Sequence, residues 1–217
     1  MKKLLHSAAF SALLAVVHAP SHAGIVFTFT EVGPNVVMNS SGVIDTTKLL
    51  LKGTPCAACT WGGVGVEENG NHDIMGGTSV GQVDISFGFS AGTNFSQWAS
   101  ANGPWAASTF GANVDSGVKG FTTYIREGGV NPQLPGLGVE GADIVAGLWS
   151  PDQNWTFAGK SFASMSMFAG TYTVTDAVTN EFIRYQIGPD GQVPEPGTLA
   201  LLGFGLAGLA AARRRKQ

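Results

Sequence analysis

Ile25-Val-Phe-Thr-Phe-Thr30, the turn Val32-Gly33-Pro34 and the run Asn35-Val-Val-Met38 decide the architecture. Over residues 25–30 apolar and polar side chains alternate with a period of two, the pattern of a strand with one buried face. Adjacent Gly and Pro punctuate the chain, so the second run can fold back on the first as a hairpin. Similar short runs, bounded by Gly, Asn and Pro, recur at Val43 to Leu51, Gln82 to Phe89, Gly120 to Arg126, Trp155 to Phe168, Thr171 to Thr175 and Glu181 to Ile187. Residues Asp176 to Asn180 supply a hairpin connection for the last two. The stretch Ala91 to Ser116, rich in Gly, Ser, Asn and Trp, reads as a long loop with one helical turn near Ser96 to Ala101. No long segment between Gly24 and Gln192 shows capped helical periodicity. Roughly eight to ten short strands predict an all-β domain, an antiparallel β-sandwich or jelly roll, over residues 24–192.

Composition agrees. The 217 residues include 31 glycines, about twice the usual share. Only 12% are charged, about half the usual share, so Ser, Thr and Asn do the solvating. Residues 24–192 hold six basic and fourteen acidic side chains, a formal charge of −8, against −3 for the whole chain. Such a domain repels phosphate backbones, which argues against nucleic acid as a partner.

The two ends differ from this middle. Lys2 and Lys3 precede an apolar stretch from Leu4 to Val17, and Ser21-His22-Ala23 offers small side chains at the two positions a signal peptidase must fit. Residues 1–23 are therefore read as a secretory signal peptide, cut between Ala23 and Gly24. At the other end, Val193-Pro194-Glu195-Pro196-Gly197 precedes an uncharged apolar run over 198–212 and the cluster Arg213-Arg214-Arg215-Lys216. As a helix the run would span about 22 Å, short for a hydrocarbon core of about 30 Å, a mismatch that thinning and snorkelling absorb. The basic cluster is expected on the cytoplasmic side, leaving everything before Pro194 outside. Two prolines around Glu195 hold the segment extended, as a protease cleft requires.

Together these three parts, in this order, resemble the PEP-CTERM sorting signal of exopolysaccharide-producing Gram-negative bacteria. The resemblance covers about 25 residues. It implies that a membrane-embedded cysteine transpeptidase, an exosortase, recognises Pro194, Glu195 and Pro196, cuts nearby and passes the protein onward. It also implies an inner-membrane precursor with its domain in the periplasm, and a cell-surface or matrix location after processing.

The middle carries few groups for catalysis. Removal of residues 1–23 leaves His72 as the one histidine, and no Gly-x-Ser-x-Gly elbow accompanies it. A zinc site of several histidines is excluded. A hydrolase would need paired carboxylates such as Glu67 and Asp84 within about 10 Å. Cys56 and Cys59, the only cysteines, are read as a small-loop disulfide in an oxidising periplasm. Glu67, Glu68 and Asp73, around Asn69-Gly70-Asn71-His72, form either a solvated turn or part of a calcium shell. Trp61, Trp98 and Trp105 lie beside Gly, Asn and Pro, and either present stacking faces for a sugar or plug the core. The expected function is a non-catalytic structural or adhesive component of the surface or exopolysaccharide matrix. A secreted carbohydrate-binding module, with or without calcium, is the alternative.

Overall fold

The computed structural model describes residues 23–53, 64–68, 72–77, 83–99, 103–128 and 131–188. Strands β1 (Gly24–Val32) and β2 (Asn35–Asp45) form the expected hairpin, with Val32 opposite Asn35 across Gly33 and Pro34. The alternation becomes burial: Ile25, Phe27 and Phe29 are fully buried, whereas Val26, Thr28 and Thr30 are partly so.

Among the described residues twelve further strands follow: β3 (Leu50–Gly53), β4 (Gly65–Glu68), β5 (His72–Gly76), β6 (Ile85–Gly88), β7 (Thr109–Phe110), β8 (Asn113–Ser116), β9 (Phe121–Gly128), β10 (Asn131–Val139), β11 (Leu148–Trp149), β12 (Asn154–Phe157), β13 (Gly170–Thr175) and β14 (Phe182–Ile187). They build two sheets. One has the order β13-β14-β1-β2-β12-β8, with β11 also pairing β2. The other runs β3-β6-β10-β9-β5-β4-β7. Every pair is antiparallel except β1 with β14, which run parallel from Gly24↔Phe182 to Phe29↔Ile187. A chain that closes its last strand beside its first must run in from far along the sequence, a pairing that periodicity does not reveal.

Three expected strands are cut short by side chains that bond to the backbone. The segment 43–51 divides because the Asp45 carboxylate accepts from Thr47 N at 3.1 Å and starts a 3-10 turn over Thr46–Lys48, after which β3 joins the other sheet. Residues 155–168 keep only the end of β12, because Asn35 Oδ1 accepts from Gly159 N at 2.9 Å and a series of turns follows. In 82–89 the strand is β6 alone, preceded by Asp84, whose carboxylate accepts from Gly141 N at 2.6 Å. The segment 91–116 contains the expected helical turn, α1 (Ser96–Ala99), and also β7 and β8, which are too short for their alternation to stand out.

The two sheets share one core. Phe27 stacks on Phe121 at 5.2 Å and 6°, and Tyr185 and Thr123 hydroxyls meet at 2.6 Å between the sheets. Gly76 on β5 leaves room for this packing, since a Cβ there would stand 2.5 Å from Phe121 Cε1 and 2.6 Å from Trp155 Cζ2. Gly76→Ala is therefore expected to cost about 1–3 kcal/mol through overpacking, read as a lowered urea midpoint at unchanged slope.

Candidate functional site

Gly24, the residue after the expected signal-peptide cut, is the first residue of β1 and is buried between Phe182 and Val43. Ala23 is half-buried. At the other end of the chain β14 lies between β13 and β1, and Gly188 N donates to Phe29 O at 3.1 Å as the chain leaves the sheet. Residues 1–22, Cys56, Cys59, Trp61, the motif Val193 to Gly197, the apolar run 198–212 and the cluster Arg213 to Lys216 lie outside the described residues. Among the described residues no helix is long and apolar enough to cross a membrane.

Trp98 and Trp105 take the second of the two readings open to them, as plugs of the core. Trp98 and Trp105 offer no face to a sugar, because both are fully buried, as are Trp149 and Trp155. Trp98 stacks on Tyr185 at 4.6 Å, and Trp105 lies 5.0 Å from the same ring, with its Nε1 donating to Glu67 O at 2.7 Å. The long loop brings its rings inward because the region around Tyr185 would otherwise be exposed apolar surface. These rings are the core plugs that were the other reading of the same residues.

His72 holds that loop down. Its Nδ1 faces Trp98 O, and its Nε2 faces Trp105 O at 2.6 Å. Gly103 lies flat on the imidazole, where a Cβ would come within 2.3 Å of Cε1. A general base in a triad keeps one nitrogen for the nucleophile, and both nitrogens here meet backbone carbonyls. Tyr185 OH donates to His72 O at 3.3 Å. Burial, with the nearby Asp73 charge, pushes its phenol well above the usual range, although Thr123 pulls the other way.

The carboxylates expected around this turn sit on two paired strands. Glu67 on β4 is opposite Asp73 on β5, and Glu68 is opposite His72. Asp73 is 3% exposed and the two glutamates are half-buried. Residues 69–71, which would close a calcium loop, lie outside the described residues. Among the described residues no three His, Cys, Asp or Glu side chains come together as a metal site. Asp84 precedes β6, which is four strands from β4 in the same sheet. That separation is about 19 Å along the sheet, too far for Glu67 and Asp84 to act on one bond.

Sequence reasoning missed a polar junction at the end of the molecule where β1 begins. Asp176, 1% exposed, accepts from Ser90 N, from Ser90 Oγ at 3.0 Å, and from Val178 N and Thr179 N at 2.8 Å each. Nearby, buried Glu181 accepts from Asp45 N at 3.0 Å and from Lys48 Nζ at 3.0 Å. Glu181 in turn holds the Lys48 ammonium above the usual lysine range. An Asp opening a tight turn was the available signal, since its side chain satisfies the turn's own N–H groups.

The family model for the PEP-CTERM protein-sorting motif matches residues 192–216. The C-terminal signal is thus a PEP-CTERM motif, which implies exosortase-dependent sorting of a secreted surface protein. No curated protein and no solved structure matches the chain.

Proposed function

We propose that this protein is a non-catalytic structural or adhesive component of the cell surface or exopolysaccharide matrix. In this reading residues 24–192 form a β-sandwich that is exported by the signal peptide 1–23. The helix 198–212 holds it in the inner membrane until an exosortase cuts at Val193 to Gly197. The observation that carries the reading is the sorting motif at 192–216, next to a closely packed all-β domain. His72, used as a loop clamp, supports the non-catalytic part. The carbohydrate-binding alternative loses Trp98 and Trp105, whose rings are spent on the core.

Intact mass and fractionation, in cells with and without their exosortase, test this. The parent chain is expected to lose its tail near Pro196 only when the enzyme is present. Replacing Pro194 and Glu195 together by alanine is expected to slow that loss at least about tenfold, since an extended acidic segment is what the cleft reads. A tail intact through Gln217 in both strains would mean a plain anchor and end the sorting reading.

A further inference from the structure

The chain leaves the domain at a definable end. Because β14 runs parallel to β1, Ile187 stands beside Phe29, and the tail departs where β1 turns into β2. The same end holds the start of β13, since Gly170 pairs with Ile187, and the end of β12, since Phe157 pairs with Val36. The stretch 158–169 is fastened there: Glu31 Oε1 accepts from Phe162 N, Asn35 Oδ1 from Gly159 N, and Phe168 O from Tyr172 OH. Exposed residues at this end include Glu31 to Pro34, Ala158 to Ser161 and Phe168 to Thr171. Val32 is 55% exposed and Phe168 46%. Lys160 and Glu31 are the only charged residues in 31–35 and 158–171, and the Glu31 carboxylate already accepts from Phe162 N.

Only residues 189–193 separate Gly188, still bonded to the sheet, from Pro194 of the motif. Fully extended, that link reaches about 20 Å. An enzyme that holds Pro194 to Pro196 extended in its cleft occupies some of this length as well. The domain cannot stand clear while its tail is being cut.

The geometry points to the β14 exit end, bearing Val32 and Phe168, as a docking surface for the outer face of the membrane transpeptidase that processes the tail. This rests on the exosortase reading of the motif. Two stretches with only one charge of each sign, 31–35 and 158–171, suit it, because every charge brought into such a contact has to be desolvated. Three of the domain's acidic residues, Asp45, Asp176 and Glu181, belong to the opposite end, where Gly24 enters.

The test uses the full chain in cells that contain the enzyme, with tail loss followed by pulse-chase and intact mass. The Val32→Asp/Phe168→Asp chain is expected to lose its tail about fivefold or more slowly than the parent, because two charges are forced into the contact. Ten Gly/Ser residues inserted after Gly191 are expected to restore that variant to within about twofold of the parent carrying the same insert, since a longer linker frees the domain from the contact. Recovery with the insert also shows that the variant folds. Processing at the parental rate without the insert, or slow processing that the insert leaves unchanged, would overturn the assignment. In membranes lacking the enzyme, Lys160 is expected to react with an amine label as fast as in detergent. Protection there would mean that the bilayer covers this end, and would overturn it too. Continued tail loss in the Pro194→Ala/Glu195→Ala chain would remove the sorting reading itself, and this inference with it.

Discussion

Phe121→Ala is expected to lower the free energy of unfolding by about 3–5 kcal/mol. The Phe121 ring stands between the sheets, stacked on Phe27 at 5.2 Å and flanked by Trp149 at 5.8 Å and Trp155 at 6.1 Å. None of these four side chains has solvent exposure. Three aromatic neighbours, each fixed in its own strand, cannot collapse into the space a phenyl ring leaves, so the cavity term adds to the lost transfer term. Against a typical total of about 5–15 kcal/mol, that is about a fifth of the stability or more. Urea unfolding followed by tryptophan fluorescence measures it, since the reporter rings line the same core. Phe168→Ala, at an exposed position, serves as the control and is expected to change stability by less than about 0.5 kcal/mol. A loss below about 1 kcal/mol for Phe121→Ala would mean that the two sheets do not meet at this ring.

Asp176→Asn is expected to cost about 2–4 kcal/mol at neutral pH, although the two side chains are nearly the same size and shape. The carboxylate receives four donors, two of them from Ser90, which follows the end of β6 in the other sheet. An amide presents an NH2 group to some of those donors and leaves buried N–H groups unsatisfied. Burial disfavours the charged form of Asp176, but the N–H groups of Ser90, Thr179 and Val178 outweigh it, and the carboxyl lies below its ordinary value of 3.8. A depressed folded value means that this stabilisation is complete above the unfolded value and disappears as pH falls through the folded one. The gap between parent and variant is therefore expected to be constant from pH 7 to about 5, and to close below about pH 4. Unfolding curves across that range decide it, and a gap that widened in acid would contradict the burial of an ionised carboxylate at this junction.

The residues that could be read correctly in the sequence share one property: their behaviour is set by near neighbours. Alternation over 25–30 marks a strand because successive side chains point to opposite faces. The hairpin partner, Asn35 to Met38, lies one turn away. The β13–β14 hairpin over Asp176 to Asn180 was legible for the same reason. The boundaries that failed, at Asp45 and Gly159, depend on which backbone N–H a side chain finds, and for Gly159 that acceptor is Asn35, 124 residues distant.

By itself, the sequence determined that the domain is built of strands and that its C-terminus carries a sorting motif. A motif read by an enzyme in extended form is a property of consecutive residues, and so it needs no fold. Only the tertiary structure decided that β14 closes beside β1 in parallel, that the loop rings Trp98 and Trp105 serve Tyr185 rather than a sugar, and that Asp176 joins the two sheets. Flanking Gly and Pro residues make a tryptophan look exposed. Whether it is buried depends on the apolar surface that a strand 80 residues or more along the chain presents to it, and local composition does not encode that surface.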